Sequence, residues 1–532
     1  MKRLLIIAAL AVTVAVPFLL RPRRPAARQA DDTLVIVSPH NAAIRAEFAT
    51  GFEAWYRART GRSVAIDWRI VGGTNDITRF LEAQYDGAFR EYWTARLGRP
   101  WNAAVEAGFQ ASALSPGAPA DAREARTAFL ASEVGCGIDL FFGGGPYDFA
   151  RQAAAGRLVD SGLRQRHPDW FTPAVFPQVF RGNPYRDTHD LWFGDTLSSF
   201  GIVYNRQALR HRGIDRDPTQ WTDLTDPRLI GAVALCDPTK SGTMASAFEN
   251  VIQQQMQQRL GALGEARAVR EGWIAGLRVV QELGANARYF TDGSQKILID
   301  VGDGNCAAGM CIDIYAAEQA EAVERRGGGG RLGFIAPAGG TTYSADPIAL
   351  LRGAPHRAVA AEFIEYVLSL DGQKLWDFRP GSPGGPRQYP LNLVPIRRDF
   401  YDRADWRALR MDPDVNPYGP GNTFVYRPAW TAAIFQEMAL ISRVMCQDTH
   451  DELVAAWRAI LAAPEPRRTE ALAVLQDLSL VNYDRAGGEI RRAFESKDKV
   501  EEVRLARDLG EAFRRQYARA AALARGGVTA PP

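Results

Sequence analysis

Apolar runs and helical stripes alternate over the first part of the chain. Residues 34–37 (LVIV) are continuously apolar, which predicts a buried parallel strand. Apolar residues at helical spacing follow over 44–55, and residues 64–70 (VAIDWRI) alternate strictly as a second strand. Ile77, Phe80 and Leu81 begin another helix, with Thr74 or Asn75 as its N-cap. This β-α-β-α order is typical of a sheet covered by helices on both faces.

The same alternation continues through the rest of the chain. Residues 86–132 are Ala-rich and mostly helical, and we expect them to form a surface insertion. Two long apolar segments, 197–205 and 343–351, are expected to cross between two α/β units. The other predicted elements are strands at 138–142, 232–236 and 308–315, helices at 148–155, 264–283 and 316–325, and helices from 421 to the end.

Composition excludes several classes of protein. The 532 residues are 46% hydrophobic and 23% charged, which is typical of a globular chain and not of a disordered one. A net charge of +3 gives no indication of nucleic-acid binding. Neither CxxC nor HExxH occurs, so no zinc site of the common kinds and no cofactor are expected.

The N-terminus favours export. Lys2 and Arg3 precede an apolar stretch at 4–20, as in a signal peptide. The stretch is 17 residues long, near the short limit for a membrane-spanning helix, and arginines follow it. Residues 1–30 are therefore a cleaved signal peptide or an uncleaved anchor, and the predicted location is the periplasm.

Five cysteines leave at least one thiol unpaired in a monomer. Cys306 and Cys311 have the spacing to close a short disulfide loop in an oxidising compartment. The alternative is that the cysteines are buried thiols, since Cys236 and Cys311 lie in apolar runs. The pairing of Cys136 and Cys446 is equally open.

Six segments resemble one family. They are SPHNAAIRAEF (38–48), GIDLFFGGG (137–145), SSFGIVYNR (198–206), WTDLTDPRLIGAVALCDPTKSGT (221–243), AAGMCIDIYAAEQ (307–319) and AAEFIEYVLSLDGQKLW (360–376). They resemble the extracellular solute-binding proteins of ABC importers, in the branch with ferric-ion, phosphosugar and phosphonate binders. The resemblance covers residues 33–400. It implies a type II periplasmic-binding-protein fold, in which two α/β lobes close by a hinge motion around a solute.

This fold predicts a division of the chain. The expected units are lobe 1 at 33–197, lobe 2 at 203–342, the return of lobe 1 at 346–420, and a helical C-terminal extension at 421–532. The extension exceeds the usual length of the family. Its apolar stripes need a surface, so we expect it to pack on the lobes.

The loop DPTKSGT (237–243) is the strongest candidate for ligand contact. Ser241 and Thr243 offer hydroxyl groups directly before a helix, where the first backbone N–H groups lack intrahelical partners. The helix dipole adds partial positive charge, and Gly242 allows close approach of a ligand. This combination predicts an anion site. The simpler alternative is that Ser241 or Thr243 caps the helix without any ligand.

Similar turns follow other strands. Because ligands of open α/β sheets bind beyond the carboxyl ends of the strands, we group these turns with the DPTKSGT loop. The further predicted ligand-binding residues are Ser38, His40, Asn41, Gly72, Gly73, Thr74, Gly144, Gly145, Ser198, Ser199, Asp313 and Tyr315. For each of them the alternative is an ordinary structural role in a turn or strand.

Tyr315 bears on the kind of solute. Ferric-ion binders that resemble this chain supply two adjacent tyrosines near this place, whereas this sequence has a single one, in Ile314-Tyr315-Ala316. An oxyanion or a polar organic solute is therefore favoured over iron.

The sequence thus predicts a solute-binding protein rather than an enzyme. GxSxG and the P-loop motif are absent from the sequence. The expected partners are a small solute, an ABC permease with its ATPase, and the membrane surface through that permease or an N-terminal anchor. The alternatives are a membrane-anchored ligand-sensing module of a signalling system and an Fe(III)-binding protein.

Overall fold

The computed structural model describes residues 30–527, apart from 314, 317, 318, 321, 322, 324–326, 328, 420–422 and 497. The predicted signal peptide or anchor lies outside the described residues, as does most of the helix predicted at 316–325. Among the described residues, no helix combines the length and apolarity needed to cross a bilayer.

The strands and helices are numbered here in chain order. The strands are β1 (Asp32–Val37), β2 (Val64–Arg69), β3 (Leu140–Phe142), β4 (Leu158–Val159), β5 (Val179–Phe180), β6 (Asn183–Pro184), β7 (Phe193–Asn205), β8 (Val233–Cys236), β9 (Ala287–Thr291), β10 (Ala308–Ile312), β11 (Leu332–Ile335), β12 (Tyr343–Leu351) and β13 (Val394–Pro395). The α-helices are α1 (Ala42–Thr60), α2 (Thr74–Glu91), α3 (Ala103–Gln110), α4 (Ala120–Ala131), α5 (Pro146–Ala154), α6 (Leu163–Arg166), α7 (Arg206–Arg210), α8 (Gly242–Leu263), α9 (Glu265–Asn286), α10 (Gln295–Gly302), α11 (Arg357–Leu368), α12 (Leu370–Asp377), α13 (Pro428–Thr431), α14 (Phe435–Cys446), α15 (His450–Ala462), α16 (Arg467–Leu475), α17 (Tyr483–Arg485), α18 (Arg491–Glu495) and α19 (Lys499–Arg525).

One long strand, β7, belongs to two sets of strands. Its first half pairs with β12, where Ser199 lies opposite Tyr343, and continues the order β2-β1-β3-β12. Its second half pairs with β10, where Phe200 lies opposite Ile312, and continues to β8 and β9. We call these sets of strands and their helices the first and the second lobe. The structure confirms the predicted two-lobed α/β fold.

β7 suits this crossing position because its whole length is buried. All 13 of its residues are shielded from solvent, as expected for a strand that is covered in both lobes. The chain returns to the first lobe through β12, which begins at Tyr343, opposite the point where β7 changes partners. Both predicted crossing segments are therefore strands, and the change of partners falls between Ser199 and Phe200.

Two details of the predicted boundaries are wrong. β10 ends at Ile312, so Asp313 and Tyr315 lie beyond the strand instead of ending it. The N-cap of α2 is Gly73, not Thr74 or Asn75. Gly73 has extended backbone angles and its N–H donates to Asp76 Oδ2 at 3.2 Å, which closes the first turn without a side-chain cap.

The predicted insertion has its own aromatic core. Phe89, Phe109 and Phe129 from α2, α3 and α4 lie with ring centroids 4.6 to 5.4 Å apart. All three are buried and belong to a cluster with Val35 and Phe141 of the first-lobe sheet. The insertion thus covers one face of this sheet.

The C-terminal helices pack on α8 and α9 of the second lobe. The Trp273 indole N–H donates to Val481 O at 2.8 Å, and Gln281 Nε2 donates to Leu475 O and to the Tyr517 hydroxyl at 3.1 Å each. These groups are buried, and their apolar neighbours on both sides belong to one core. The lobe and these helices therefore share a continuous interior.

All five cysteines carry free thiols in this structure. Cys306 and Cys311 are not joined, so the disulfide alternative is wrong here. Four of the thiols are buried and Cys136 is half-buried. Burial raises the pKa of the Cys306 thiol to about 11, which keeps it protonated and unreactive near neutral pH.

Candidate functional site

Three turns of the first lobe meet at the carboxyl ends of β1, β2 and β3. A Cβ atom added to Gly143, whose φ is +93°, would lie 2.5 Å from His40 Nε2. A Cβ atom on Gly144 would lie 2.8 Å from the Thr74 methyl group. These glycines allow the turns to touch, and α1, α2 and α5 therefore begin side by side.

His40 is a buried, neutral residue of this cluster. Its ring meets Phe142 edge-on at 4.5 Å, and the backbone N–H of His40 donates to Ser38 Oγ at 3.1 Å. Burial, with a smaller contribution from the nearby Arg45 cation, lowers the pKa of His40 to about 3. Both ring nitrogens are buried without a hydrogen-bond partner. Ser38 Oγ therefore helps to fix the turn, and a solute contact of Ser38 or His40 stays a prediction.

The first-lobe helices start in different ways. Asn41 Oδ1 accepts the Ile44 N–H at 2.9 Å and caps α1. Gly73 and Gly145 are the N-cap positions of α2 and α5 and provide no side chain. Gly72 has a φ of +131°, so it is held in a conformation that favours glycine. The N-cap positions of α2 and α5 therefore contribute backbone without a side chain.

The DPTKSGT loop is held by its own side chains. Asp237 Oδ1 accepts the Thr239 N–H at 2.8 Å and the Thr239 hydroxyl at 2.6 Å. Ser241 Oγ accepts the Met244 N–H at 3.2 Å, so this hydroxyl caps α8. A Cβ atom on Gly242 would meet no atom within 4 Å. The start of α8 is thus open at Gly242 and Thr243, whereas Ser241 has the capping role.

The two lobes touch beside this loop. Asn75 Nδ2, in the first turn of α2, donates to Thr239 O at 3.2 Å. The starts of α1, α2, α5 and α8 are therefore gathered where the lobes meet. The sequence indicated Asn75 only as a possible helix cap. Local sequence patterns do not reveal a contact between residues 164 positions apart.

Carboxylates line the strands that join the lobes. Asp313 Oδ2 accepts the Ser199 N–H at 2.7 Å and the Ser199 hydroxyl at 2.9 Å. Burial, followed by the charge of Asp313, raises the pKa of Asp346 to about 8. Burial and the charge of Asp346 also raise the pKa of Asp195, whose two oxygens are buried without partners. Sequence analysis missed Asp195 and Asp346, because both lie within apolar strands.

The remaining predicted residues lie nearby but have no assigned contact to a solute. Ser198 is buried on β7 and its hydroxyl has no partner. Tyr315 is half-buried and packs against the core. Within the described ranges, no three His, Cys, Asp or Glu side chains are grouped to hold a metal ion. Which residues contact solute stays a prediction.

Comparison with known proteins finds one matching family model. Residues 138–395 match the family model of the bacterial extracellular solute-binding proteins. The resemblance seen in the sequence motifs is thereby confirmed for this segment, which is just under half of the chain.

Individual relatives share about a quarter of their residues with this chain over the matched segments. An uncharacterized protein of Haemophilus influenzae is 27% identical over 238 residues, which are 44% of this chain and 60% of that protein. The phosphoglycerate transport regulatory protein PgtC of Salmonella typhimurium is 26% identical over 305 residues, 55% of this chain and 63% of that protein. The chain thus covers less than two thirds of these relatives.

Two solved structures illustrate a similar chain trace. The periplasmic binding protein AfuA of Actinobacillus pleuropneumoniae, with bound fructose-6-phosphate, has a TM-score of 0.48 at 16% identity, covering 80% of this chain and 98% of that one. Iron-bound HitA of Pseudomonas aeruginosa has a TM-score of 0.44 at 16% identity, covering 77% and 99%.

The raised pKa of Asp346 predicts a pH-dependent stability. A carboxyl group whose pKa rises on folding keeps its proton in the folded chain after the unfolded chain has lost it. The free energy of unfolding therefore falls as the pH rises from about 4 to about 8. We expect Asp346→Asn to raise the Tm at pH 8 and to leave it nearly unchanged at pH 4.

Thermal unfolding of both proteins at the two pH values tests this. The exposed Asp414 provides the control, since Asp414→Asn removes a carboxylate without removing a buried one. An equal change of Tm for Asp346→Asn at both pH values would contradict the assignment.

Proposed function

We propose that this chain is an exported solute-binding protein that captures a small anionic, oxyanion-bearing solute between its two lobes and delivers it to an ABC importer. The family match over residues 138–395 supports solute binding. The geometry of the candidate site supports the anionic character of the solute.

The gathering of four helix starts at the meeting point of the lobes carries this proposal. Helix N-termini offer backbone N–H groups and partial positive charge, which suits phosphate and carboxylate groups. Gly242 leaves the start of α8 uncovered by a side chain, and Gly73 and Gly145 add none at the N-caps of α2 and α5. The Gly73 N–H itself is taken by Asp76, and Pro146 of α5 has no N–H, so α8 offers the most open backbone. Asn75 and Thr239 connect the starts of α2 and α8 across the lobes. An anion between them would therefore contact both lobes.

The acidic residues at the crossing strands refine the proposed solute. Asp313 is a hydrogen-bond acceptor, and Asp346 holds a proton near neutral pH because of its raised pKa. Both carboxyl groups can hydrogen-bond hydroxyl groups on a solute, Asp313 as an acceptor and protonated Asp346 as a donor. A phosphate ester of a small hydroxylated compound fits both features. The printed name of PgtC, a phosphoglycerate transport regulatory protein, points to the same chemistry.

The organisation of the chain is part of the proposal. Lobe 1 comprises 33–197 with the return at 346–420, lobe 2 comprises 203–342, and residues 421–532 are an extension packed on the lobes. The change of partners of β7 between Ser199 and Phe200 supports the first of these boundaries. Export through residues 1–30 places the protein in the periplasm, where a permease would receive the solute.

A ligand screen by thermal shift tests the proposed solute. The set pairs phosphate esters and phosphonates with their uncharged counterparts and includes carboxylates, sugars and Fe³⁺. A solute at a hundred times its Kd stabilises the folded chain by about 2.7 kcal/mol. We expect phosphorylated compounds to raise the Tm and their dephosphorylated forms to have little effect. Stabilisation by Fe³⁺ or by uncharged sugars alone would contradict the proposal.

The word regulatory in the name of PgtC favours one second candidate, a sensing module that reports solute to a signalling partner. Deletion of the gene distinguishes the two. If the chain is an importer component, the deletion strain should lose solute uptake and keep its transcriptional response. If the chain is a sensing module, the strain should keep uptake and lose the response.

A further inference from the structure

Helix α14 of the C-terminal segment is fixed to the second lobe. Cys446 Sγ donates to Val280 O of α9 at 3.5 Å in a buried contact. A Cβ atom on Gly284 would lie 2.6 Å from Cys446 Cβ, so glycine at this position permits the close approach of the two helices. α14 is buried on all sides from Glu437 to Cys446, apart from Arg443. The helix therefore moves with the second lobe.

The end of α14 reaches the DPTKSGT loop. Gln447 Nε2 donates to Asp237 Oδ2 at 3.4 Å, and Arg443 Nε lies 4.0 Å from the same oxygen. Asp237 uses its other oxygen to hold Thr239, which in turn touches the first lobe through Asn75. Arg443 and Gln447 thus orient the carboxylate that shapes this loop.

The beginning of α14 contacts the first lobe. The Phe435 ring lies 4.9 Å from the Tyr147 ring, with the two planes at 38°. Tyr147 is the second residue of α5, two positions after the Gly145 N-cap. α5 itself belongs to the first lobe, where Phe149 stacks on Phe141 of the sheet at 4.2 Å. This ring pair therefore joins a helix carried by one lobe to a helix start of the other.

We propose that α14 is an interlobe strut, which positions the helix starts of both lobes for the solute and stabilises the closed arrangement through Phe435 and Tyr147. The strut lies outside residues 138–395, the segment that the family model matches. Phe435, Arg443 and Gln447 are positioning residues, since they act through Tyr147 and Asp237. The inference rests on the proposed function only for its effect on solute affinity.

The substitution Phe435→Ala tests the strut in two ways. Solution X-ray scattering of the solute-free protein is expected to show a larger radius of gyration, because the ring contact between the lobes is lost. Solute affinity is expected to fall between about twofold and tenfold, the range of an aromatic pair contact. Phe494→Ala is the matched control, because Phe494 is a half-buried ring of the C-terminal segment on α18. We expect this control to change neither the radius of gyration nor the affinity.

A double-mutant cycle separates the ring contact from other effects. If Phe435 and Tyr147 act on each other, the loss of affinity in Tyr147→Ala/Phe435→Ala is smaller than the sum of the two single losses in free energy. Phe435→Leu, which keeps an apolar side chain, should retain part of the affinity. Additive losses, or an unchanged radius of gyration in Phe435→Ala, would overturn the strut. The scattering measurement needs no solute. It therefore tests the strut even if the proposed function fails, and the two failures can be told apart.

Discussion

Gly242→Asp is expected to lower the affinity for an anionic solute by at least about a hundredfold without harming the fold. Gly242 is the first residue of α8, and a Cβ atom there would meet nothing within 4 Å. A carboxylate at this position would face the solute anion. Two like charges 4 Å apart repel by about 4 kcal/mol at an effective dielectric constant of 20, and each 1.4 kcal/mol is a tenfold change in affinity.

The fold should tolerate this change because an acidic side chain at a helix start is favourable to the helix dipole. The Tm is therefore expected to stay equal or to rise slightly. Gly242→Asn is the control, since it has the same shape without the charge, and we expect it to lose less than about tenfold in affinity. Calorimetric titration of both variants measures the effect. Similar affinities for Gly242→Asp and Gly242→Asn would place the anion elsewhere.

Trp273→Ala is expected to destabilise the whole second lobe together with the C-terminal helices. Trp273 is fully buried on α9, its indole N–H donates to Val481 O at 2.8 Å, and its ring meets Tyr483 at 5.7 Å. Truncation of a buried tryptophan costs about 3–5 kcal/mol. Because the lobe and the C-terminal helices share one interior, we expect them to unfold in a single transition.

Denaturant unfolding followed by circular dichroism tests this prediction. Trp55→Ala provides the comparison, because Trp55 is only half-buried on α1 of the first lobe and should cost much less. A C-terminal segment that unfolds separately, with little effect of Trp273→Ala on the lobes, would contradict the shared interior.

The sequence predicted most strands and helices because their patterns are local. The apolar run of β1, the alternation of β2 and the apolar length of β7 each indicate the element without help from elsewhere in the chain. β9 was missed because it follows α9 directly, at Ala287, with no turn residue between them. β11 was missed because Leu332–Ile335 follows a glycine run that indicates a loop.

The candidate site was predictable only in part, because sequence patterns are local. Turns after strands and the Ser241 cap are visible in the sequence, and the structure places the predicted turns together. Contacts between distant segments are not visible there, such as Asn75 with Thr239 and Phe435 with Tyr147. The raised pKa of Asp346 also depends on burial and on Asp313, 33 positions away in the chain. Such properties arise from tertiary packing.

The most direct test of the central claim is a calorimetric titration of the protein with one phosphate ester and with its dephosphorylated form. The site predicts binding of one phosphate ester per chain and a loss of at least about a hundredfold for the dephosphorylated compound, because the helix starts then lack their anion. Equal affinity for the two compounds would contradict an anion site between the lobes. Binding of neither compound, nor of any phosphate ester or phosphonate in the thermal-shift set, would contradict the proposed solute class.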